Sequence, residues 1–514
     1  MAHPISRRDH DAALIAFIAG LAVMNTEIAA GRLFAPHYGT STTTWALLIG
    51  TVMLSLAIGG VAGGWLSRRS DPAPWLPRLL LVAAALSALL PRVAPALMAG
   101  SLTQFRAGQL GQLAGAATAT AVLLALPVAC LGAISPLLLH VAGRRIERTL
   151  PDDLGTLAGR LYAAGTLGGL TGTFAAGVLF IPWLGTSRTI DLGALSMALA
   201  ALVMALRARR RGMVLTAAVA AALFAAGLRR PLLPPPPTGA LVEAIESRHN
   251  YISVVDVGGE RQLRVNDGFA VQSVSLRSGR LPLRDVWAYY ALAPSWAARP
   301  VESVLLLGMG GGTAAEIYGR LYPDARITGV EIDPAMVKAG EEHLGLDLSG
   351  IDVRIEDART FAAREAHVRA QHDVIILDAF QFPYIPFQLT TREFFLDLAD
   401  CLAPGGVLMV NVGRHRDHRA VVHAVTRTLS SVFPHVQSAD PPNHSNTIVV
   451  ATRHAADRAV GLSGLARPAS SALAPLASLA RAMRPASWPD SAPLLTDDHA
   501  PVEWLTDLAV WSAL

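Results

Sequence analysis

Charge is what this 514-residue chain has least of. Asp, Glu, Lys and Arg make up 16% of it, against 52% hydrophobic residues and a mean hydropathy of +0.40. A soluble enzyme carries about 25% charged residues, so the composition excludes an ordinary soluble protein; the apolar content excludes a disordered one. Cysteine is scarcer still. Cys130 and Cys401 are too few for a disulfide framework, and neither lies in a CxxC or zinc-ligand spacing. No metal is therefore expected. At roughly 150 residues per domain, the length allows about three domains.

The missing charge is unevenly missing. Residues 1–238 hold 19 arginines and 8 acids, so 11% are charged and the net is +11. Residues 239–514 hold 24 basic and 31 acidic groups, so 20% are charged and the net is −7. The basic pI is thus a sum over unlike halves, and no nucleic-acid partner is expected. In the first half the uncharged runs 33–67, 107–143 and 161–187 exceed the roughly 20 residues that cross a bilayer. Shorter candidates lie at 12–28, 79–102 (interrupted by Arg92), 192–206 and 213–228. Six or seven spanning helices follow, in contact with lipid.

Arginines give these helices an orientation. They cluster at Arg7/Arg8, Arg68/Arg69/Arg78, Arg144/Arg145/Arg148 and Arg207/Arg209/Arg210/Arg211. The positive-inside rule puts the amino terminus and these clusters in the cytoplasm. If the segment 213–228 crosses, the acidic half emerges outside; if it does not, that half stays inside. Gly59-Gly60-Val61-Ala62-Gly63-Gly64 and Gly168-x-x-x-Gly172 read as close helix packing rather than a pore lining. Glu27 and Arg32 near the end of the first segment have two readings, an intramembrane functional acid or a pair fixing the segment's end. Four prolines, 234–237, make residues 229–240 an extended spacer.

The second half alternates. Residues 251–257 and 261–265 read as a hairpin around Gly258-Gly259, with a turn at Asn266-Asp267-Gly268. Apolar strands follow at 303–307, 326–331, 352–355, 374–378 and 407–411, with helical stretches including 334–343 and 391–402 between them. That pattern predicts a parallel sheet covered on both faces. The expected layout is a membrane domain (1–228), linker (229–240), small β subdomain (241–300), α/β domain (301–452) and an Ala/Pro-rich tail (453–514).

The first of these strands runs into Gly308-Met309-Gly310-Gly311-Gly312-Thr313. Glycines let the backbone approach a ligand. Glu331-Ile332-Asp333 ends the next strand, where an acid can hold both hydroxyls of a ribose. With Asp357-Ala358, the set reads as a nucleoside site. A phosphate loop is disfavoured, because no Gly-Lys-Ser/Thr follows the glycines. Asp378 ends the fourth strand, where open α/β sheets place ligands, and opens an aromatic stretch with Phe380, Phe382, Tyr384 and Phe387. One acid among aromatics suits an amine or a sulfonium.

From residue 246 to 451 these motifs resemble spermidine synthase, the polyamine aminopropyltransferase family of class I methyltransferase-type (Rossmann-like) fold. The matching residues are the 307–312 loop, Glu331-Ile332-Asp333, Asp357-Ala358, the strand ending in Asp378, and Leu402-Ala403-Pro404-Gly405-Gly406. Glu27, Arg32, Pro36, Gly39, Ser41, Trp45 and the following glycines resemble the membrane part of bacterial fused major-facilitator/spermidine-synthase-like proteins. The resemblance implies decarboxylated S-adenosylmethionine or S-adenosylmethionine as co-substrate, held by Gly308, Gly310, Gly312, Glu331 (ribose) and Asp357 with Ala358 (adenine). It implies Asp378 as the base for an attacking small-molecule amine, and Gln272, Tyr289, Phe380 and Tyr384 as substrate contacts. A bacterial inner-membrane location also follows from it.

The departures are equally specific. The family loop has an acid where this chain has Gly311, and the family's second aspartate is Gln381 here. An Asp-Glu-x-x-Tyr-His-Glu stretch is reduced to Asp285-Val286-x-x-Tyr289-Tyr290-Ala291, and a Tyr-Gln pair becomes His249-Asn250. The groups expected to hold adenosine are kept; those expected to hold amines are lost. A methyltransferase, or a transporter or sensor with a nucleoside-binding domain, are the alternative readings. The tail motif 495–503, Leu-Thr-Asp-Asp-His-Ala-Pro-Val-Glu, recurs in the fused group. Its acids read either as counter-charge to an amine or as ordinary surface acids. No oligomeric state is assigned.

Overall fold

The computed structural model describes residues 7–38, 42–104, 109–146, 153–227, 238–266, 270–368, 372–380, 384–414, 418–442, 445–455 and 473–512. The proline spacer, the 267–268 turn residues, Gly39, Ser41, Arg148, Gln381 and Phe382 lie outside them. The chain splits into two compact units, Met1–Pro234 and Pro235–Leu514.

The first unit is helical: α1 (Arg7–Tyr38), α2 (Thr42–Ser67), α3 (Trp75–Gln104), α4 (Gln109–Gly132), α5 (Ile134–Ile146), α6 (Asp153–Phe174), α7 (Ile181–Leu184), α8 (Thr186–Arg207) and α9 (Arg211–Gly227). Six stretches are long and apolar enough to cross a membrane; α4 with α5 forms the fourth, and α6 joined to α7 by a π turn forms the fifth. Their outward faces stay apolar, with Val61 77% and Trp183 80% exposed, as a lipid-facing surface requires. α9 is the shorter apolar helix, folded back on α8 after a three-residue turn.

Glycine sets how closely these helices pack. A Cβ on Gly168 of α6 would lie 2.0 Å from the Phe17 carbonyl oxygen of α1, and one on Gly172 2.4 Å from that of Leu21. Gly59 and Gly63 of α2 meet the carbonyls of Ala129 and Ala133 in the same way. The small-residue stretches are packing surfaces. Arg92, which interrupts the candidate segment 79–102, has a counter-ion: Asp191 of α8, 2% exposed, accepts from both guanidinium nitrogens at 2.9 and 3.1 Å. Asn25 donates to the Thr189 carbonyl at 3.0 Å. Glu27 is 5% exposed, and its Oε2 has no hydrogen-bond partner among the described residues. Arg32 lies half-buried further along the same helix.

The second unit begins with a four-stranded antiparallel sheet, β1 (Ala240–Glu246), β2 (Tyr251–Val257), β3 (Glu260–Val265) and β4 (Ala270–Leu276), in sequential order. The expected hairpin is its middle pair. α10 (Asp285–Leu292) leads to the large sheet: β5 (Ser303–Leu307), α11 (Thr313–Leu321), β6 (Arg326–Glu331), α12 (Pro334–Ala339), β7 (Ile351–Ile355), α13 (Ala358–Val368), β8 (His372–Leu377), α14 (Arg392–Cys401), β9 (Leu402–Gly413), α15 (Ala420–Ser430), β10 (His435–Ala439), β11 (Asn446–Thr452), α16 (Ala477–Ala482), β12 (Arg484–Pro485) and α17 (Val502–Ser512).

The sheet order is β12-β10-β11-β9-β8-β5-β6-β7. β5 to β9 run parallel, and β10 to β12 form an antiparallel edge. β5 and β8 are buried at every position, which is why they carry the apolar runs Val304–Leu307 and Val374–Leu377. This is the class I methyltransferase-type Rossmann-like fold. The order turns at β5, flanked by β6 on one side and β8 on the other, so the crevice for a ligand opens at the carboxyl ends of β5 and β8. The described part of the expected tail is woven into this unit, with Leu473 and Leu495 fully buried.

A valine at Gly168 places branched atoms where the α1 backbone now lies. Gly168→Val should lower the yield of monodisperse protein in detergent, in line with an overpacking cost of roughly 1–3 kcal/mol. Gly60→Val, with no atom within 4 Å of its Cβ position, should leave it unchanged.

Candidate active site

The glycine loop is built by steric necessity. Gly308 has φ +89°, and a Cβ there would lie 2.3 Å from the Asp378 carbonyl oxygen. The two strand ends can touch only because residue 308 has no side chain. Gly312, at φ +91°, caps α11. The Gly310 N–H, aimed across the loop, donates to Glu331 Oε2 at 2.7 Å. Glu331 Oε1 accepts from the Asp333 N–H at 3.0 Å. Burial pushes the Glu331 carboxyl upward, and these two N–H donors pull it back.

Asp333 is structural. Fully buried, it accepts from Ser247 Oγ and from Asn250 Nδ2 at 3.0 Å, and it caps α12 through the Ala335 N–H at 3.1 Å. The residues between β1 and β2 are thereby pinned to the end of β6. Asp357 caps α13, accepting from the Arg359 and Thr360 N–H groups at 2.9 and 3.1 Å. Its neighbour Glu356 is paired with Arg364 at 2.6 Å.

Asp378 is the best-supported group in the unit. Tyr290 donates its hydroxyl to Oδ2 at 2.7 Å, and Asn411 Nδ2 donates to Oδ1 at 2.8 Å. Asn446 in turn donates to Asn411 at 2.9 Å. The carboxylate lies deep in the protein yet keeps an accessible face on the crevice. Desolvation pushes its pKa up to about 6 against the lowering effect of the two donors. A carboxylate poised there can accept a proton near neutral pH.

A cavity of about 250 Å³ joins these groups. Gly308, Gly310, Glu331, Asp357, Ala358 and Asp378 all line it, as do Gln272 and Phe380. Gly312 does not; it serves the helix start. Two expected substrate contacts lie elsewhere. Tyr289 is 1% exposed in the core beneath the sheet; helix geometry turns its neighbour Tyr290 to Asp378 instead. Tyr384 donates to Asp507 of α17. The unforeseen residues are Tyr290 and Asn411. Asn411 had a signal: it ends the apolar stretch 407–411 expected as a strand, and the register Leu377↔Val410 of β8 and β9 sets it beside Asp378. The trio Glu243, Glu342 and half-buried His343 is the one group of metal-ligating type among the described residues, and none of the three lines the cavity.

The crevice opens at the carboxyl ends of β5 and β8 of a class I methyltransferase-type sheet. Residues 293–442 match the spermine/spermidine synthase domain. Over 279 residues the chain is 34% identical to a probable polyamine aminopropyl transferase of Bifidobacterium longum, covering 51% of this chain and 61% of that protein. It is 31% identical over 216 residues to a polyamine aminopropyltransferase of Vibrio vulnificus, covering 40% of this chain and 70% of that one. The crystal structure of a probable spermidine synthase from Corynebacterium glutamicum aligns with 49% of this chain and 98% of its own at 22% identity and a TM-score of 0.37. The chain belongs to the polyamine aminopropyltransferase family. It spans less than two thirds of the Bifidobacterium relative.

Tyr290→Phe removes a donor that favours the ionised form. The Asp378 carboxylate band, followed by difference infrared titration against Asp378→Asn, should then shift to higher pH; an unmoved midpoint would contradict the assignment.

Proposed function

We propose that the Pro235–Leu514 unit transfers an aminopropyl group from decarboxylated S-adenosylmethionine to a small amine. The observation that carries this is Asp378, held by Tyr290 and Asn411 at the crevice with a pKa of about 6. Glu331 takes the ribose hydroxyls on its remaining lone pairs, and Asp357, which also lines the cavity, takes the adenine amino group. The amine nitrogen attacks the carbon bonded to sulfur, forming a C–N bond as the C–S bond breaks. The C–S electron pair stays on sulfur, and methylthioadenosine leaves as a neutral thioether. The amine proton passes to Asp378. Phe380 and Trp287, both on the cavity wall, suit the sulfonium by cation–π contact.

Gly311 favours a second reading, methyl transfer from S-adenosylmethionine. A Cβ at 311 would meet Leu263 at 2.9 Å and Ser273 at 3.1 Å. The acid of the family loop therefore has no room here, and an aminopropyl ammonium loses that partner. Incubation with both donors and the common polyamines, followed by mass spectrometry, separates the two. Methylthioadenosine is the expected product; S-adenosylhomocysteine alone would replace the first reading with the second. Asp378→Asn should lower turnover by about 10²-fold or more. The wild-type rate should fall as pH drops through about 6, where Asp378 gains the proton that blocks it.

The location that fits this chemistry is the bacterial inner membrane, with the catalytic unit on the cytoplasmic side where the sulfonium donor is made. Six long spans return the chain to the side of its amino terminus. The 17 residues of α9 reach about 25 Å, short of the roughly 30 Å hydrocarbon core. A carboxyl-terminal fluorescent fusion should glow, and a phosphatase fusion should be silent. Active phosphatase would mean that α9 crosses as a seventh span.

A further inference from the structure

The carboxyl-terminal motif has a position that its acidity alone does not reveal. Leu495 is fully buried; its N–H donates to Thr428 Oγ1 at 3.0 Å, and its carbonyl accepts from the Arg392 N–H at 2.9 Å. The chain then makes a tight turn in which the Thr496 and His499 backbones exchange two hydrogen bonds at 3.0 Å. Asp497 sits at the tip. Its carboxylate accepts from Arg359 Nη2 at 2.8 Å, from Arg359 Nη1 at 3.3 Å and from Thr391 Oγ1 at 2.6 Å, while its N–H donates to Glu393 at 3.0 Å.

Arg359 is a junction. Its backbone N–H donates to Asp357, and its guanidinium reaches the Gln388 carbonyl at 3.3 Å and Thr391 Oγ1 at 3.0 Å. Asp357 and Gln388 both line the cavity. One side chain therefore ties the α13 cap to the turn around Leu389. A long guanidinium needs a counter-charge to hold one geometry, and a bidentate carboxylate supplies both charge and direction. Neutralised by Arg359, Asp497 is not spare charge for an amine.

We infer that the turn Thr496–His499 is part of the donor site: Asp497, acting through Arg359, is a positioning residue that fixes the spacing between Asp357 and Gln388. This rests on the reading of the cavity as an adenosyl-donor site. The test uses the full chain in detergent, with Asp497→Asn, the acid-preserving Asp497→Glu, and Asp498→Asn, whose residue is exposed in the same turn. Methylthioadenosine binding is measured by calorimetry, acceptor KM by initial rates, folding by melting temperature, and backbone protection by hydrogen exchange.

Asp497→Asn should weaken methylthioadenosine binding about tenfold, the scale of a hydrogen bond to a charged group. It should raise exchange at both 357–361 and 387–391, and leave acceptor KM and melting unchanged. Asp497→Glu should recover most of the affinity, and Asp498→Asn should match wild type. Wild-type affinity and exchange in Asp497→Asn would overturn the inference. So would a loss that only tracks melting, or an equal loss in Asp498→Asn. Wild-type protein that binds no adenosyl compound would instead overturn the donor reading; exchange in the two segments would then decide the coupling alone.

Discussion

A carboxylate kept at the end of β8 is the constraint around which the second unit is arranged. Out of bulk water, the Asp378 carboxylate is stable only with donors on its oxygens. One donor comes from α10 and the other from the adjacent strand, so the helix before the sheet and the order of the strands are both committed to it. The Asn446–Asn411 contact extends that commitment to the antiparallel edge. The same crowding makes Gly308 obligatory, because the backbone of the loop and that of Asp378 share one space. Positioning and pKa therefore have a common origin: the packing that orients the carboxylate also dries it.

Much of this was legible in the residues. The central parallel strands carry the apolar runs Val304–Leu307 and Val374–Leu377, and such runs need cover on both faces. Glu331, Asp357 and Asp378 stand out as acids at the ends of apolar strands. What stayed hidden were relations between distant segments. Nothing local distinguishes Tyr290 from Tyr289, since which of two adjacent aromatics meets Asp378 depends on how α10 is rotated against the sheet. β10 and β11 are antiparallel strands without a glycine landmark of the β5 kind. The tail motif shows its acids plainly, but the partner of Asp497 lies 138 residues away.

The helical unit, with six helices long and apolar enough to cross a membrane, obeys the same rule. Lipid offers no hydrogen bonds, so a guanidinium on a bilayer-spanning helix must bring its own counter-ion. Arg92 and Asp191 meet across 99 residues, and that separation is why the arginine looked like a mere interruption. Glycine serves both units for opposite reasons. In the loop after β5 it grants a backbone angle; on α2 and α6 it grants distance, letting carbonyls of the neighbouring helix lie where a methyl group would.

Asp333 also sets a limit on modularity. The small sheet has its own strand order, separate from the large one. Yet Ser247 and Asn250, between its first two strands, end on the carboxylate that caps α12 beside Glu331. A lineage that traded this sheet for another would have to bring a matching hydroxyl and amide, or leave a fully buried aspartate stranded at the rim of the cavity. The segment 247–250 and residue 333 are in that sense one heritable unit, split by 83 residues of chain.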